Sequence, residues 1–411
     1  MVALSGGTPP VPAPDAARPV PWYRAVPGWG SLMALGFIFW AALQLRHVVL
    51  GPAAEAHDTG ITPERLIAAL FELLTGLLII QGACEALVQS VERFGARFKW
   101  DGFVAGTVGS LLATLPEFVV IALLVSVEPM VAFTVPLVTI FNNSLAFSIY
   151  SFFLPKSQEG CFVMPRAITK AGGEVLIAAA GIAAVLGLAM LGLRGETHKT
   201  ELAGTDLFVI GIGLLIIFGY YNFSLIRHFA RGPEDEQPAD PHTRNLPTGW
   251  GGIIGLFVLG IVGAVLGGEA ISGFADTAIN AFKLPSVPTA IGLAFFAGIS
   301  EYVIVFKAHR KGELGIALSN VFGGITQVMF FLWPFSLIVI GLFGVAGGAD
   351  AAQFAILINF QTTMLVLLMF PLFYVLLEYI EEDHTLSNLD AAAMTVIYGL
   401  LLYILIFMSG A

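Results

Sequence analysis

Charged residues are scarce in this chain of 411 residues: they make up 12% of the sequence, against 57% for hydrophobic residues. The mean hydropathy is +0.86, well above that of ordinary soluble enzymes. The Lys and Arg residues that are present form no concentrated patch, so nucleic-acid binding is not expected. The composition therefore excludes a soluble globular protein and favours an integral membrane protein.

Cysteine is nearly absent, and histidine forms no cluster. Cys84 and Cys161 fall in different segments without metal-type spacing, so neither a disulfide framework nor a zinc site is expected. The seven histidines lie at or near predicted loops. No Ser-His-Asp or P-loop pattern stands on a suitable element, so we assign no catalytic residue and predict no hydrolysis of ATP or peptide bonds.

Long apolar stretches recur from one end of the chain to the other. A stretch of about 20 apolar residues crosses about 30 Å of hydrocarbon, and we predict eleven such helices, hence an all-α polytopic membrane protein. The segment 1–27 is rich in Pro and Ala, which argues against a signal peptide. The predicted spans are 29–50, 64–92, 102–126, 130–153, 169–193, 204–227, 249–281, 287–308, 313–344, 351–380 and 389–409.

Basic residues are distributed unevenly between the two sides of these spans. With the N-terminus in the cytosol, fourteen of the nineteen Lys and Arg residues fall on the inner side. Basic residues accumulate on the cytoplasmic side of membrane proteins. We therefore expect a multi-pass protein of a bacterial-type inner (plasma) membrane, with its N-terminus cytosolic and its C-terminus on the outer side.

The chain contains an internal repeat. A gap-free correspondence at one constant offset aligns the segment 68–150 with 252–334 and pairs Glu117 with Glu301. Polar residues keep the same distance from this central acid in both halves, since Glu85 precedes Glu117 by the same length of chain as Glu269 precedes Glu301. A spacing that is kept for polar residues inside apolar helices indicates two related bundles.

Counting helices predicts how the two bundles are oriented. Each repeat holds five helices, an odd number, so the second repeat enters the membrane from the opposite side. Inverted repeats around a midplane site are an architecture of secondary transporters, which favours a transporter over an enzyme. The predicted division is an N-terminal cytosolic segment (1–28), an extra first helix with an outer loop (29–63), the first repeat (64–227), an acidic cytosolic linker (228–248) and the second repeat (249–411).

Two carboxylates, Glu117 and Glu301, lie within predicted spans. An ionised side chain near the bilayer centre costs about 2.5–3.5 kcal/mol, so it is kept only if protonated, paired or bound to a cation. Pro116 frees the carbonyl of Leu112 beside the first acid, and oxygen donors of this kind suit Ca²⁺ or Na⁺. The alternative is a pair of protonated glutamates hydrogen-bonded in a helix interface.

Further polar residues accompany the acids on neighbouring helices. Gln81 and Glu85 fall on one stripe of the first helix of their repeat, as Glu269 does in the second. Two such stripes would line water-filled half-channels and form an accessory polar path. Alternatively, the outer residues of each stripe would reach the lipid headgroups. Asn142 and Asn143, on the third helix of the first repeat, offer hydrogen-bond donors and acceptors to the region of the central acids. Alternatively, they form structural hydrogen bonds with a neighbouring helix.

Two segments carry a family resemblance. The first segment resembles the first repeat of the cation/Ca²⁺ antiporter superfamily and reads GLLIIQGACEALVQSVERFG followed by ATLPEFVVIALLVS. This superfamily comprises the sodium/calcium and calcium/proton exchangers and is also called the sodium/calcium exchanger membrane-region family. ISEYVIVFKAHRKGELGIALSNVFGGITQVMFFLWPF is most similar to the calcium/proton branch, with Gly323, Gly324, Gln327 and Pro334 in its pattern. The calcium/proton branch also has an extra first helix and an acidic linker.

The resemblance implies a cation antiporter in which Glu117 and Glu301 bind the transported cation and exchange it for protons or another ion. Candidate accessory ligands under the resemblance are Thr114, Asn143, Ser300 and Gln327. No resident cofactor is implied; Ca²⁺, or alternatively Na⁺, would be bound transiently, and the partners are inorganic cations, protons and the lipid bilayer.

The sequence departs from the family pattern at two places beside the acids. Ala113 stands where the family usually has a hydroxyl or amide, and Gly298, Ile299 and Ser300 supply fewer oxygens than related exchangers do. Exchange of Ca²⁺ for H⁺ is the favoured hypothesis. An exchanger of Na⁺ for Ca²⁺, another cation exchanger, a channel and a non-transporting subunit remain alternatives, and the oligomeric state is not assigned.

Overall fold

The computed structural model describes residues 28–50, 62–98, 111–164, 167–196, 200–229, 249–312, 314–381 and 384–409. Within these ranges the chain is largely helical, and four short strands stand between the helices. The helices are α1 (Gly28–Leu50), α2 (Pro63–Phe98), α3 (Leu115–Val127), α4 (Pro129–Ser151), α5 (Gly173–Glu196), α6 (Gly204–Phe229), α7 (Trp250–Asp276), α8 (Ser286–Ala297), α9 (Ile299–Lys311), α10 (Leu314–Gln327), α11 (Trp333–Ala346), α12 (Phe360–Leu367), α13 (Met369–Glu381) and α14 (Asn388–Ser409).

These helices account for the predicted membrane spans. In the described part of the chain, ten helical stretches are long and apolar enough to cross a bilayer, and the shorter apolar helix Leu111–Val127 stands in the third predicted span. The start of that span, residues 102–110, lies outside the described residues, as do residues 1–27 and most of the linker. The predicted all-α polytopic fold is confirmed.

One predicted span begins later than the sequence suggested. Residues Gly348–Phe354 form a 3₁₀ helix, and α12 starts only at Phe360. Asn359 caps it, since its side chain accepts from the Thr362 backbone while the Thr362 hydroxyl accepts from the Asn359 backbone. A capping box of this kind sets a helix start that hydropathy cannot locate, so the span predicted from residue 351 was too long at its beginning.

The crossing of α2 and α7 shows that the repeats are inverted copies. A Cβ built on Gly76 of α2 would lie 2.8 Å from the carbonyl oxygen of Gly267, and one on Gly260 of α7 would lie 3.1 Å from that of Ala83. The repeat alignment matches Gly76 with Gly260 and Ala83 with Gly267, so the same contact is made twice with the partners exchanged. Exchange of partners is the mark of a twofold relation, and small residues let the two backbones approach closely.

Helix α4 forms the centre of the bundle and connects the two repeats. Of its membrane-spanning window, 78% is buried inside the protein. The hydroxyl of Ser336 on α11 donates to the carbonyl oxygen of Ala132 at 2.7 Å, and that of Thr395 on α14 donates to the Ser148 hydroxyl at 3.0 Å. Residues halfway along α4 are therefore held in the protein interior, away from lipid.

Two strand pairs also connect the repeats, one at each membrane face. Strand β1 (Cys161–Val163) pairs antiparallel with β4 (Thr385–Ser387), and β2 (Glu201–Leu202) pairs antiparallel with β3 (Ile356–Leu357). Because α5 crosses the bundle between β1 and β2, the two pairs lie on opposite sides of it. Each pair joins a loop of the first repeat to a loop of the second.

Candidate functional site

Each repeat contains a helix that is interrupted just before its central acid. Helix α3 starts after Thr114, whose φ and ψ are −79° and −11°, and α9 starts after Gly298, at −72° and −7°. Thr114 and Gly298 are equivalent in the repeat alignment, so the break occurs at the same position in both halves. Pro116 favours the first break, because a prolyl nitrogen cannot donate to the preceding turn; in the second repeat Gly298 occupies the break position.

The interruption places Glu117 and Glu301 in the first turn of a helix. Each is the acidic residue of the first turn of α3 or α9. A helix N-terminus carries a partial positive charge of about half an elementary charge, which stabilises a carboxylate in its first turn. Both halves therefore offer the central acid the same local electrostatic support.

The two central acids meet in the interior of the bundle. The Glu117 side chain is 7% exposed, and its Oε2 has no hydrogen-bond partner among the described residues. Glu301 is half-buried and lies close enough to Glu117 for the two carboxyl groups to interact electrostatically. The fold thus brings together the two acids that the sequence repeat had paired.

Asn143 links the first repeat to the acid of the second. This residue is 1% exposed on α4, and its Nδ2 donates to Oε2 of Glu301 at 3.2 Å. Its Oδ1 accepts from the hydroxyl of Tyr302 at 3.1 Å. The structure therefore adds Tyr302 to the site, a residue that the sequence did not single out.

Gly324 makes room for this pair. A Cβ at this position would lie 2.8 Å from both Asn143 Nδ2 and Glu301 Oε2, closer than side chains come. The adjacent Gly323 is less restricted, because a Cβ there would meet Gln327 Nε2 at an ordinary 3.5 Å. The consecutive glycines inside an apolar helix were the signal in the sequence, although they do not show which one faces the acid.

The other candidate ligands differ in how the structure places them. Thr114 is buried at the break before α3, and its hydroxyl donates to the Leu111 carbonyl at 3.0 Å. Gln327 is half-buried and ends α10. Asn142 is buried beside Asn143, and its Nδ2 has no partner in the described part of the chain. The side chain of Ser300 lies outside the described residues.

The accessory acid of the first repeat lies on α2. Glu85 is half-buried, and one of its oxygens accepts from Gln89 Nε2 at 3.3 Å, one turn along the same helix. Gln81 is half-buried one turn before Glu85. These side chains form the predicted stripe along α2.

The accessory acid of the second repeat is held by the extra first helix. Glu269 is exposed on α7, where Oε2 accepts from Trp40 Nε1 at 3.3 Å and Oε1 from Gln44 Nε2 at 3.1 Å. Trp40 and Gln44 are one turn apart on α1, so they reach the two oxygens of one carboxyl group. Glu269 therefore joins α1 to α7, a contact that the repeat pattern could not predict because α1 has no repeat counterpart.

The two repeats are not packed alike around the central acids. Helix α3 lies along α7, where a Cβ at Gly268 would be 3.2 Å from Leu123 and 3.3 Å from Val119. The equivalent pair, α9 and α2, touches at only a few positions among the described residues. The bundle is therefore closed beside α3 and looser beside α9.

Comparisons with known proteins agree with this architecture. Residues 252–407 match the family described as Sodium/calcium exchanger protein. A search of curated proteins gives no significant match. The solved structure of the H⁺/Ca²⁺ exchanger CAX matches with a TM-score of 0.59 and 13% identity over 93% of both chains.

Two further solved structures share the fold. Native YfkE matches with a TM-score of 0.58 and 12% identity over 92% of this chain and 99% of its own. The sodium-calcium exchanger NCX_Mj matches with a TM-score of 0.51 and 17% identity over 82% of this chain and 99% of its own. Residues 252–407, which lie in the second repeat, are therefore similar in sequence to the sodium/calcium exchanger family, and the whole chain shares the fold of these solved exchangers.

Proposed function

We propose that the chain is a secondary active antiporter that exchanges Ca²⁺ for H⁺ by alternating access, with Glu117 and Glu301 as the cation- and proton-binding acids. The observation that carries the proposal is the meeting of these two carboxyl groups, one from each inverted repeat, inside a membrane bundle. Two carboxylates at this depth cannot both stay ionised without a counter-charge. Either a divalent cation or protons must neutralise them, and this requirement couples the two ions.

The surroundings of the acids suit a hard cation. Ca²⁺ takes 6–8 oxygen ligands, which carboxylates, amide oxygens, hydroxyls, backbone carbonyls and water can supply. Asn143, Thr114, Ser300 and Gln327 are the accessory ligands that we propose. Because Ala113 and Gly298 supply no side-chain oxygen, water and the carbonyls at the helix breaks would complete the shell.

The unequal packing of the repeats supports alternating access. Helix α3 runs from Glu117 towards one side of the membrane, and α9 runs from Glu301 towards the other. With the orientation proposed from the basic residues, the closed α3 side is the outer side and the looser α9 side faces the cytosol. The conformation described here would then be the inward-facing one.

Two features support protons as the counter-ion. The fold of the H⁺/Ca²⁺ exchanger CAX spans 93% of this chain and so accommodates its length. The NCX_Mj fold spans 99% of its own chain but 82% of this one, so the present chain has segments that NCX_Mj lacks. Sodium is the rival counter-ion, because the family matched by residues 252–407 is described as a sodium/calcium exchanger.

Calcium uptake into everted membrane vesicles tests the role of the acids. We expect Glu117→Gln and Glu301→Gln each to abolish proton-gradient-driven uptake, because a neutral amide can neither release a proton nor balance the cation's charge. Glu174→Gln, at an exposed position on α5, is the matched control and should transport like the wild type. Uptake that survives in either central variant would contradict the assignment.

The same vesicles distinguish the two counter-ions. A pH gradient imposed without sodium should drive uptake, whereas a sodium gradient at equal pH should not. The opposite pattern would assign the chain to sodium/calcium exchange, and uptake without coupling to either gradient would indicate a channel.

A further inference from the structure

Asn143 stands between two groups that determine which way its amide points. Glu301 offers a carboxyl oxygen 3.2 Å from one end of the amide, and Tyr302 offers a hydroxyl 3.1 Å from the other. An ionised carboxylate only accepts hydrogen bonds, whereas a tyrosine hydroxyl can donate. The arrangement that satisfies all three groups turns the NH₂ of Asn143 to Glu301 and its oxygen to Tyr302.

The structure leaves space for this chain of hydrogen bonds on both sides. A Cβ at Gly298 would lie 3.1 Å from the Tyr302 hydroxyl, and a Cβ at Gly324 would lie 2.8 Å from both Asn143 Nδ2 and Glu301 Oε2. The two glycines therefore flank the series of hydrogen bonds, with Gly298 beside the Tyr302 hydroxyl and Gly324 beside the Glu301 carboxyl group.

The first repeat lacks the arrangement. The repeat equivalent of Tyr302 is Phe118, and that of Gly324 is Ile140. Phe118 has no hydroxyl, and its ring packs against Phe331 and Phe335 with centroid distances of 4.6 and 4.5 Å. The tyrosine hydroxyl that contacts the amide beside Glu301 thus has no counterpart beside Glu117, and it is not a requirement of the repeated fold.

We propose that Tyr302 is a positioning residue that keeps the Asn143 amide turned with its donor towards Glu301 while no cation is bound. The proposal rests on the proposed function, cation exchange at Glu117 and Glu301. A bound cation needs the oxygen of Asn143, not its NH₂. Binding must therefore turn the amide and break the hydrogen bond that the Tyr302 hydroxyl donates to Asn143 Oδ1, so that Tyr302 weakens the affinity for the cation and favours its release.

Removing the hydroxyl tests the proposal. Loss of one neutral hydrogen bond from the cation-free state should lower KM for Ca²⁺ about two- to tenfold in Tyr302→Phe. The maximal rate at saturating Ca²⁺ should fall or stay level, because release becomes slower. The matched control is Tyr220→Phe, which removes a hydroxyl from a side chain that is 74% exposed on α6 and should leave KM unchanged.

A second background separates positioning from packing. In Asn143→Ser no amide remains to be turned, so adding Tyr302→Phe should change KM by less than about 1.5-fold if Tyr302 acts through Asn143. If Tyr302→Phe fails to fold, judged by its size-exclusion profile, Tyr302→Leu gives the same comparison.

The KM values of the Tyr302 variants distinguish a failure of this proposal from a failure of the proposed function. An unchanged KM in Tyr302→Phe would overturn the proposal, and a raised KM would do so too by making the hydroxyl a cation ligand. A lowered KM that persists in the Asn143→Ser background would show that Tyr302 does not act through the amide. Absence of cation uptake by the wild type would instead refute the proposed function, and this inference with it, before any Tyr302 variant is compared.

Discussion

At the scale of single residues, the two central acids are equivalent in the sequence but not in their surroundings. Glu301 accepts a hydrogen bond from Asn143, whereas Oε2 of Glu117 has no partner among the described residues. In the first repeat, Phe118 occupies the position that Tyr302 occupies in the second. Two inverted repeats that differ at such positions can give one acid a fixed hydrogen-bond partner and leave an oxygen of the other acid available to bind a cation.

Gly324 allows a prediction about the pair that it accommodates. Gly324→Ala should raise KM for the transported cation severalfold without a loss of thermal stability, because the new methyl group displaces Asn143 and Glu301 at the far ends of their side chains. Gly323→Ala is the matched control, since it makes the same change one position earlier with ordinary contacts. Equal transport kinetics for the two variants would contradict the placement of Gly324 against the acid.

At the scale of elements, the repeat is expressed as paired helices that break or cross at the same positions. The breaks before α3 and α9 have nearly the same dihedral angles although one position is Thr114 and the other Gly298. The local sequence at the break has thus changed while its geometry has remained. Both breaks place an acid at a helix N-terminus, where it is electrostatically supported.

The crossing of α2 and α7 predicts where the bundle is sensitive to size. Gly76→Val should lower the melting temperature in detergent by several degrees, because overpacking a tight contact costs typically about 1–3 kcal/mol. Its added atoms would meet the Gly267 carbonyl oxygen and Ile271 on α7. Gly213→Val, on the exposed face of α6 with open space around it, is the control and should melt like the wild type. Equal melting of both variants would show that the crossing tolerates added volume.

At the scale of the whole molecule, the unequal packing around the acids defines which side is open. Val119 on α3 and Val303 on α9 occupy equivalent positions in the two repeats. Val119 lies against α7, whereas α9 touches α2 at only a few of the described positions. The two valines therefore measure access to the acids from opposite faces.

Single cysteines at these positions should react at different rates. In a background without Cys84 and Cys161, Val303→Cys should react with a membrane-impermeant thiol reagent at least about tenfold faster than Val119→Cys, because α3 packs against α7 beside Val119 and limits access of the reagent to the thiol. Everted vesicles present the proposed cytosolic face to the reagent, and right-side-out vesicles provide the comparison. Faster labelling of Val119→Cys would place the opening on the other side.

The amino-acid sequence by itself was enough to predict the number of membrane spans, the internal repeat and the pairing of Glu117 with Glu301. Each of these rests on information that is local or periodic along the chain: hydropathy over about 20 residues, helix parity, and a constant offset between polar residues. For this reason the fold could be predicted, and Glu117 and Glu301 could be paired, without any coordinate.

Only the tertiary structure decided what each acid contacts. Asn143 and Glu301 are 158 residues apart, and Gln44 and Glu269 are 225 apart, on helices whose rotation and tilt are set by packing against several neighbours at once. The contribution of Tyr302, the position of Gly324 and the contact of α1 with Glu269 therefore depend on side-chain directions that no pattern in the sequence specifies.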